Sequence, residues 1–169
     1  MAGMQRRRAL MIAAAIALLV LVIDQASKAW ARGALTQGHE VTVIPGWLWY
    51  RLASNTGATL GLGSGHNEVF AALALIIVAA IAVLAVRGNA GGVPGIGALG
   101  AVAGGALGNL VDRVRLGSVT DFIEVRVWPT DFNLADAAIR IGVVLFLLAI
   151  VLDWTRRPRR ASVGAGRER

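Results

Sequence analysis

The chain has 169 residues, 56% of them hydrophobic and only 16% charged, which is too apolar for a soluble domain of this length. It has no cysteine, which excludes disulfides, thiol nucleophiles and thiolate metal sites, and His39 and His66 lie 27 residues apart with no second ligand at metal spacing. The net charge of +7 does not point to nucleic acid, because the basic residues gather at the ends of apolar runs.

A membrane-crossing helix needs about 20 mostly apolar residues, and four segments approach or meet that length. The first runs from Ala9 to Trp30 and is charge-free as far as Ile23; Asp24 and Lys28 follow at i, i+4 spacing. A cleaved secretory signal would also fit this start, with Ala29-Trp30-Ala31 as its small-residue pattern. Cleavage there would remove Asp24 and Lys28 and leave Arg87 and the basic tail on opposite sides. Next come Val41–Ile44 and Trp47–Leu52, two β-rich runs flanking Pro45-Gly46. Proline followed by glycine suits the centre of a type II turn, so these runs predict a small strand pair. It serves either as a surface anchor or as a platform for an extended substrate.

The second span, Val69 to Val86, carries no charge. The third, Val93 to Val111, places Gly100, Gly104 and Gly108 on one face, a small-xxx-small spacing that lets another helix approach closely. Gly105 and Asn109, continued by Arg113, form the neighbouring stripe. Ser118–Trp128 alternates as a strand would. Val119, Asp121, Ile123, Val125 and Val127 fall on one face, with Thr120, Phe122, Glu124 and Arg126 on the wetter one. The fourth span, Leu134 to Trp154, is interrupted only by Asp136 and Arg140 near its start, and residues 156–169 read as a basic, disordered tail.

The expected architecture is therefore an all-α membrane protein, four transmembrane helices with a small extracytoplasmic β-rich platform, forming one domain over residues 1–155. Ten arginines set its orientation: Arg6, Arg7, Arg8, Arg87, Arg156, Arg157, Arg159, Arg160, Arg167 and Arg169 all fall on one side of a four-span chain. The positive-inside rule makes that side, and both termini, cytoplasmic. The loops at about 31–67 and 113–133 then face outward, with Trp30, Trp47, Trp49, Tyr50 and Trp128 as an interfacial belt.

Of the ten acids, Glu40, Glu68, Glu124, Asp153 and Glu168 read as solvated, and Asp131 as a cap for the fourth helix. Asp24, Asp112, Asp121 and Asp136 lie at or near the outer ends of spans, where an ionisable group is costly and points to function. Structural roles are open to each. Asp24 can pair with Lys28, Asp112 can pair with Arg113 or bridge to another segment, and Asp136 follows Asn133 as in a capping box. Two such carboxylates brought together can share a proton, one acting as base toward water and the other as acid. A helix N-terminus favours a negative charge at Asp136, and an apolar row favours a protonated Asp121. The residues alone leave four aspartates in play and do not reject Asp112.

Five blocks in order resemble the bacterial lipoprotein signal peptidases, signal peptidase II. They are Asp24-Gln-Ala-Ser-Lys28, Asn55-Thr-Gly57-Ala58, Gly104-Gly-Ala-Leu-Gly108-Asn109-Leu-Val-Asp112-Arg113, Val119-Thr-Asp121-Phe122 and Phe132-Asn133-Leu-Ala135-Asp136. The resemblance covers about residues 10–154 and departs at Leu60, where that family usually has an aromatic. It implies a membrane aspartic endopeptidase with no metal and no organic cofactor, with Asp121 and Asp136 catalytic. It further implies that Asn55, Asn109, Arg113 and Asn133 line the substrate site and that Asp24, Lys28, Gly57 and Asp112 hold its shape. The implied partners are a diacylglyceryl-modified prolipoprotein, membrane lipid and a globomycin-type inhibitor, in a bacterial inner membrane. Other classes remain: a metal-dependent membrane transferase holding Mg²⁺ against a phosphate, or a transporter with Asp24, Lys28 and Asp136 along an ion path. A serine protease is disfavoured, since Ser54 and His66 come with no Gly-x-Ser-x-Gly elbow.

Overall fold

The computed structural model describes residues 2–57, 65–87 and 91–156. In chain order the elements are α1 (Ala2–Ala34), β1 (Glu40–Ile44), β2 (Leu48–Asn55), α2 (Asn67–Arg87), α3 (Gly92–Leu116), β3 (Val119–Val125) and α4 (Leu134–Arg156). The four helices are long and apolar enough to cross a membrane. Each contains its expected apolar run, and α1 starts earlier because Arg6–Arg8 are good helix formers with no breaker beside them. The tail at 157–169 and Leu60 lie outside the described residues.

Burial identifies the central helix. The most apolar stretch of α3 is 61% buried, against 11%, 6% and 17% for α1, α2 and α4, so α3 is the post the others surround. The outer helices turn leucine, valine and isoleucine outward, as lipid-facing helices do. Glycine makes the tight packing of α3 possible. A Cβ at Gly100 would stand 2.5 Å from the Ala13 carbonyl oxygen, and one at Gly104 2.5 Å from that of Ala17, so this stripe faces α1. Gly105 faces the other way, and its Cβ would lie 2.5 Å from the Ala135 carbonyl oxygen of α4. Small residues on two faces thus bring three helices together at one level.

The strands form one antiparallel sheet in the order β1-β2-β3. Gly46, at φ 75°, closes the expected Pro-Gly turn, with the Trp47 N–H donating to the Ile44 carbonyl at 3.0 Å. Gly117, at φ 73°, ends α3 by donating to the Arg113 carbonyl at 3.1 Å and turns the chain directly into β3.

The strand alternation expected for β3 needs correction. Both faces are buried over Val119–Phe122, and Phe122 and Thr120 are not on a wet face. The ring of Phe122 packs edge-on against Trp30 of α1 at 6.1 Å and lies 6.1 Å from Tyr50 of β2. The strand is sandwiched between helix and sheet, so period two sorts its neighbours but not its exposure.

Candidate active site

Three local devices deliver Asp121 and Asp136 to one place. First, β3 pairs with β2, setting Ala53 opposite Asp121 and Asn55 opposite Val119. Second, residues beyond β3 fold back on it. The N–H groups of Phe122 and Ile123 donate to the Phe132 carbonyl at 3.1 and 2.9 Å, and the Phe132 N–H returns to the Ile123 carbonyl at 3.0 Å. Asn133 is thereby held against Asp121. Third, Asn133 starts α4: its Oδ1 accepts from the Asp136 N–H at 2.9 Å, and Asp136 Oδ2 accepts from the Asn133 N–H at 3.4 Å. This reciprocal pair is the expected capping box. Asp131 does not cap the helix. Its carboxylate sits on the Arg51 guanidinium, with contacts of 3.0 to 3.2 Å.

Around the two acids the donors are neutral amides. Asn133 Nδ2 donates to Asp121 Oδ1 at 2.7 Å, and Asn55 Nδ2 donates to Asp121 Oδ2 at 3.0 Å. Asn109 Nδ2 donates to Asp136 Oδ1 at 2.8 Å. Asn133 therefore touches both acids. Amides fix the carboxylate planes without supplying a counter-charge, and among the described residues no cation lies within ion-pair distance of either acid. Burial, and then the negative charge of Asp136, push the Asp121 carboxyl up to about 7, against the opposing pull of Asn55, Asn133 and Lys28.

The other two aspartates are placed differently. Asp24 and Lys28 are both 0% exposed and meet at 2.8 Å. Asp24 Oδ1 also accepts the Ala135 N–H of α4 at 2.9 Å. Asp112 bridges rather than pairing with its neighbour Arg113. It lies 3.6 Å from Lys28 Nζ and 3.8 Å from Arg32, and it accepts the Thr120 N–H at 2.9 Å. Lys28 Nζ donates to Asn109 Oδ1 at 2.8 Å, which turns the amide of Asn109 toward Asp136. This network ties α1, α3, β3 and the start of α4 together beneath the acids.

A cavity of about 330 Å³ opens beside Asp136. Asn55, Gly57, Asn109 and Arg113 of the expected residues line it. Arg113 donates to the Gly57 carbonyl at 2.9 Å, pinning the end of the outer loop to α3, and its guanidinium lies 5.3 Å from the Phe70 ring centroid. Phe70, Asp131, Ile139 and Arg140 also line the cavity and went unnoticed as site residues. An arginine six residues into a membrane helix was itself a signal for Arg140. Nothing in the sequence pairs Arg51 with Asp131, because they meet only across the sheet. Arg51 also holds Glu40 at 3.2 Å and Glu124 at 3.5 Å, so neither is merely solvated.

Comparison with known proteins follows the same pattern. The family model for signal peptidase (SPase) II matches residues 16–152. The lipoprotein signal peptidase of Syntrophomonas wolfei is 39% identical over 85% of this chain and 95% of its own length. That of Pelotomaculum thermopropionicum is 38% identical over 82% and 90%, and that of Pseudomonas fluorescens 40% identical over 79% and 83%. A solved bacterial membrane enzyme superposes with a TM-score of 0.78 at 30% identity, covering 88% of this chain and 92% of its own. Family match, identity and fold agree along nearly the whole chain: it belongs to the signal peptidase II family, aspartic peptidases that remove signal peptides from prolipoproteins.

Proposed function

We propose that Asp121 and Asp136 are the catalytic pair of this peptidase and that they share one proton across a bound water. The ionised member takes a proton from water as the water oxygen attacks the scissile carbonyl carbon, and the protonated member gives its proton to the carbonyl oxygen. As the C–N bond breaks, the proton taken from water passes to the leaving amine and a hydroxyl proton of the tetrahedral intermediate returns to the pair. Two products leave, the signal peptide with a new carboxylate and the mature chain with a free amine. The observation that carries this assignment is the contrast in partners. Asp121 and Asp136 are held by asparagine amides, with Asp136 lining the cavity, whereas Asp24 and Asp112 are neutralised by Lys28 and Arg32. Only the first pair is left with an unbalanced charge to use.

Asn55, Asn109, Arg113 and Asn133 line or orient the site in this scheme. Asp24, Lys28, Gly57 and Asp112 preserve its shape. The substrate is a prolipoprotein whose cysteine after the cut carries diacylglycerol. Its signal helix and lipid both lie in the bilayer, so an acid pair at the interface meets them where water also enters. Residues 1–155 act as one four-span unit with both termini cytoplasmic and the sheet outside, as the arginines of the Arg6–Arg8 and Arg87 ends direct. No metal or organic cofactor takes part, and globomycin-type cyclic peptides block the cavity.

The test is cleavage of a purified diacylglyceryl-modified precursor, with and without chelator. Undiminished turnover in chelator, loss of turnover in Asp121→Asn and Asp136→Asn, and inhibition by globomycin are expected. Turnover that needs a divalent ion, or that survives either substitution, removes the assignment.

A further inference from the structure

Arg140 is a cation in a membrane helix with no carboxylate partner among the described residues. Each nearby charged group is hydrogen-bonded to other residues. Asp131 sits on Arg51 at 3.0 Å, Asp136 takes the amide of Asn109 and the Asn133 N–H, and Arg113 is fixed to the Gly57 carbonyl. Arg140 instead lies over the Trp128 ring at 4.4 Å and beside the Phe132 ring at 5.3 Å, while lining the same cavity as Asp136. Helix side chains lean toward the N-terminus of their helix, which lifts the guanidinium from one turn below Asp136 toward its level. A guanidinium carries five N–H donors, and among the described residues no hydrogen bond takes one of those of Arg140.

The partner must be an acceptor at the depth of the membrane interface. Asp131 and Asp136 line the cavity together with Arg113 and Arg140, so its charges already balance, which favours a neutral oxygen over a further anion. We propose that Arg140, held over the Trp128 ring, is a lipid-recognition residue whose N–H groups donate to the ester carbonyl oxygens of the diacylglyceryl group on the substrate cysteine. The proposal rests on the reading of the substrate as diacylglyceryl-modified. It gives Arg140 a binding role with no part in proton transfer. It also gives Trp128, a rim residue by sequence, the task of holding that cation in place.

The experiment compares two synthetic precursors of one peptide sequence, one carrying a diester lipid and one a diether of the same chain length, in phospholipid-free detergent. There the substrate supplies the only lipid esters. Unaltered enzyme is expected to cleave the diester with kcat/KM about tenfold higher, through KM, as loss of a charge-assisted hydrogen bond predicts. Arg140→Met is expected to lower the diester value about tenfold and to leave the diether value within about twofold. Arg140→Lys, which keeps the charge but loses the fork, is expected to fall between. Equal cleavage of diester and diether by the unaltered enzyme overturns the proposal without any variant. Equal losses on both substrates in Arg140→Met, a discrimination that appears only when ester phospholipid is added, or a loss that follows an acidic residue beside the cut overturns it too. An unlipidated precursor cut as well as the diester would instead show that the substrate reading itself fails.

Discussion

Two pairs of aspartates sit within a few turns of each other, and their surroundings separate them. Asp24 and Asp112 are closed in protein with Lys28 and Arg32 against them, and their remaining acceptors take backbone N–H groups of α4 and β3. Asp121 and Asp136 receive only neutral amide and N–H donors, and Asp136 lines a cavity. One pair uses its charge to join segments. The other has no cation at ion-pair distance among the described residues. Residue type does not separate the two pairs in this bundle; the charge of the partner does.

The largest effect should come from the uncancelled pair. Asp121→Asn and Asp136→Asn should each lower cleavage of a lipidated precursor by ~10³-fold or more, because acid–base catalysis is lost while the amide keeps most of the packing. The check is turnover by protein that inserts and purifies normally. Asp112→Asn that inserts stably yet is equally inactive would erase the distinction.

Next is the paired set. Lys28→Met leaves Asp24 and Asp112 facing each other in a buried site and should destabilise the bundle by about 3–5 kcal/mol, read as a lower melting temperature in detergent. What folds should also turn over more slowly, because the Asn109 amide loses the donor that orients it toward Asp136. Gly104→Ala acts through geometry alone: its Cβ would press on the Ala17 carbonyl of α1, at a cost of about 1–3 kcal/mol in the same assay.

A smaller effect has a distinctive pH dependence. Asp121 ionises near 3.9 in an unfolded chain and at about 7 in the fold, so between these values the fold holds a proton that the unfolded chain has lost. Its contribution to stability is complete below about pH 4, declines as pH rises and is gone above about 7. Asp121→Asn should therefore flatten the melting temperature across this window and raise it at the alkaline end. Arg51→Met should do least, under about 1 kcal/mol, because its ion pairs are partly exposed.

Much of this arrangement was legible in the sequence. Apolar length marked the four helices, and Pro45-Gly46 marked the turn between the first two strands. The glycine stripe of the third span announced the close approach of another helix, though not that it is α1. The Asn133–Asp136 spacing announced the cap, though not that the same asparagine reaches Asp121. Resemblance to a family, not spacing, singled out Asp121 and Asp136 among four acids, since partner charge is a property of distant segments. Arg51 with Asp131, and the burial of Phe122 and Thr120, depend on sheet pairing and on α1 covering the strand. Local periodicity carries neither.

The shared proton is tested most directly by the pH dependence of kcat/KM on a diacylglyceryl-modified precursor. A bell is expected, whose alkaline limb falls at about pH 7 as the pair loses its last proton. A rate that stays level or climbs through that limb would mean that no proton shared by Asp121 and Asp136 is used in the reaction.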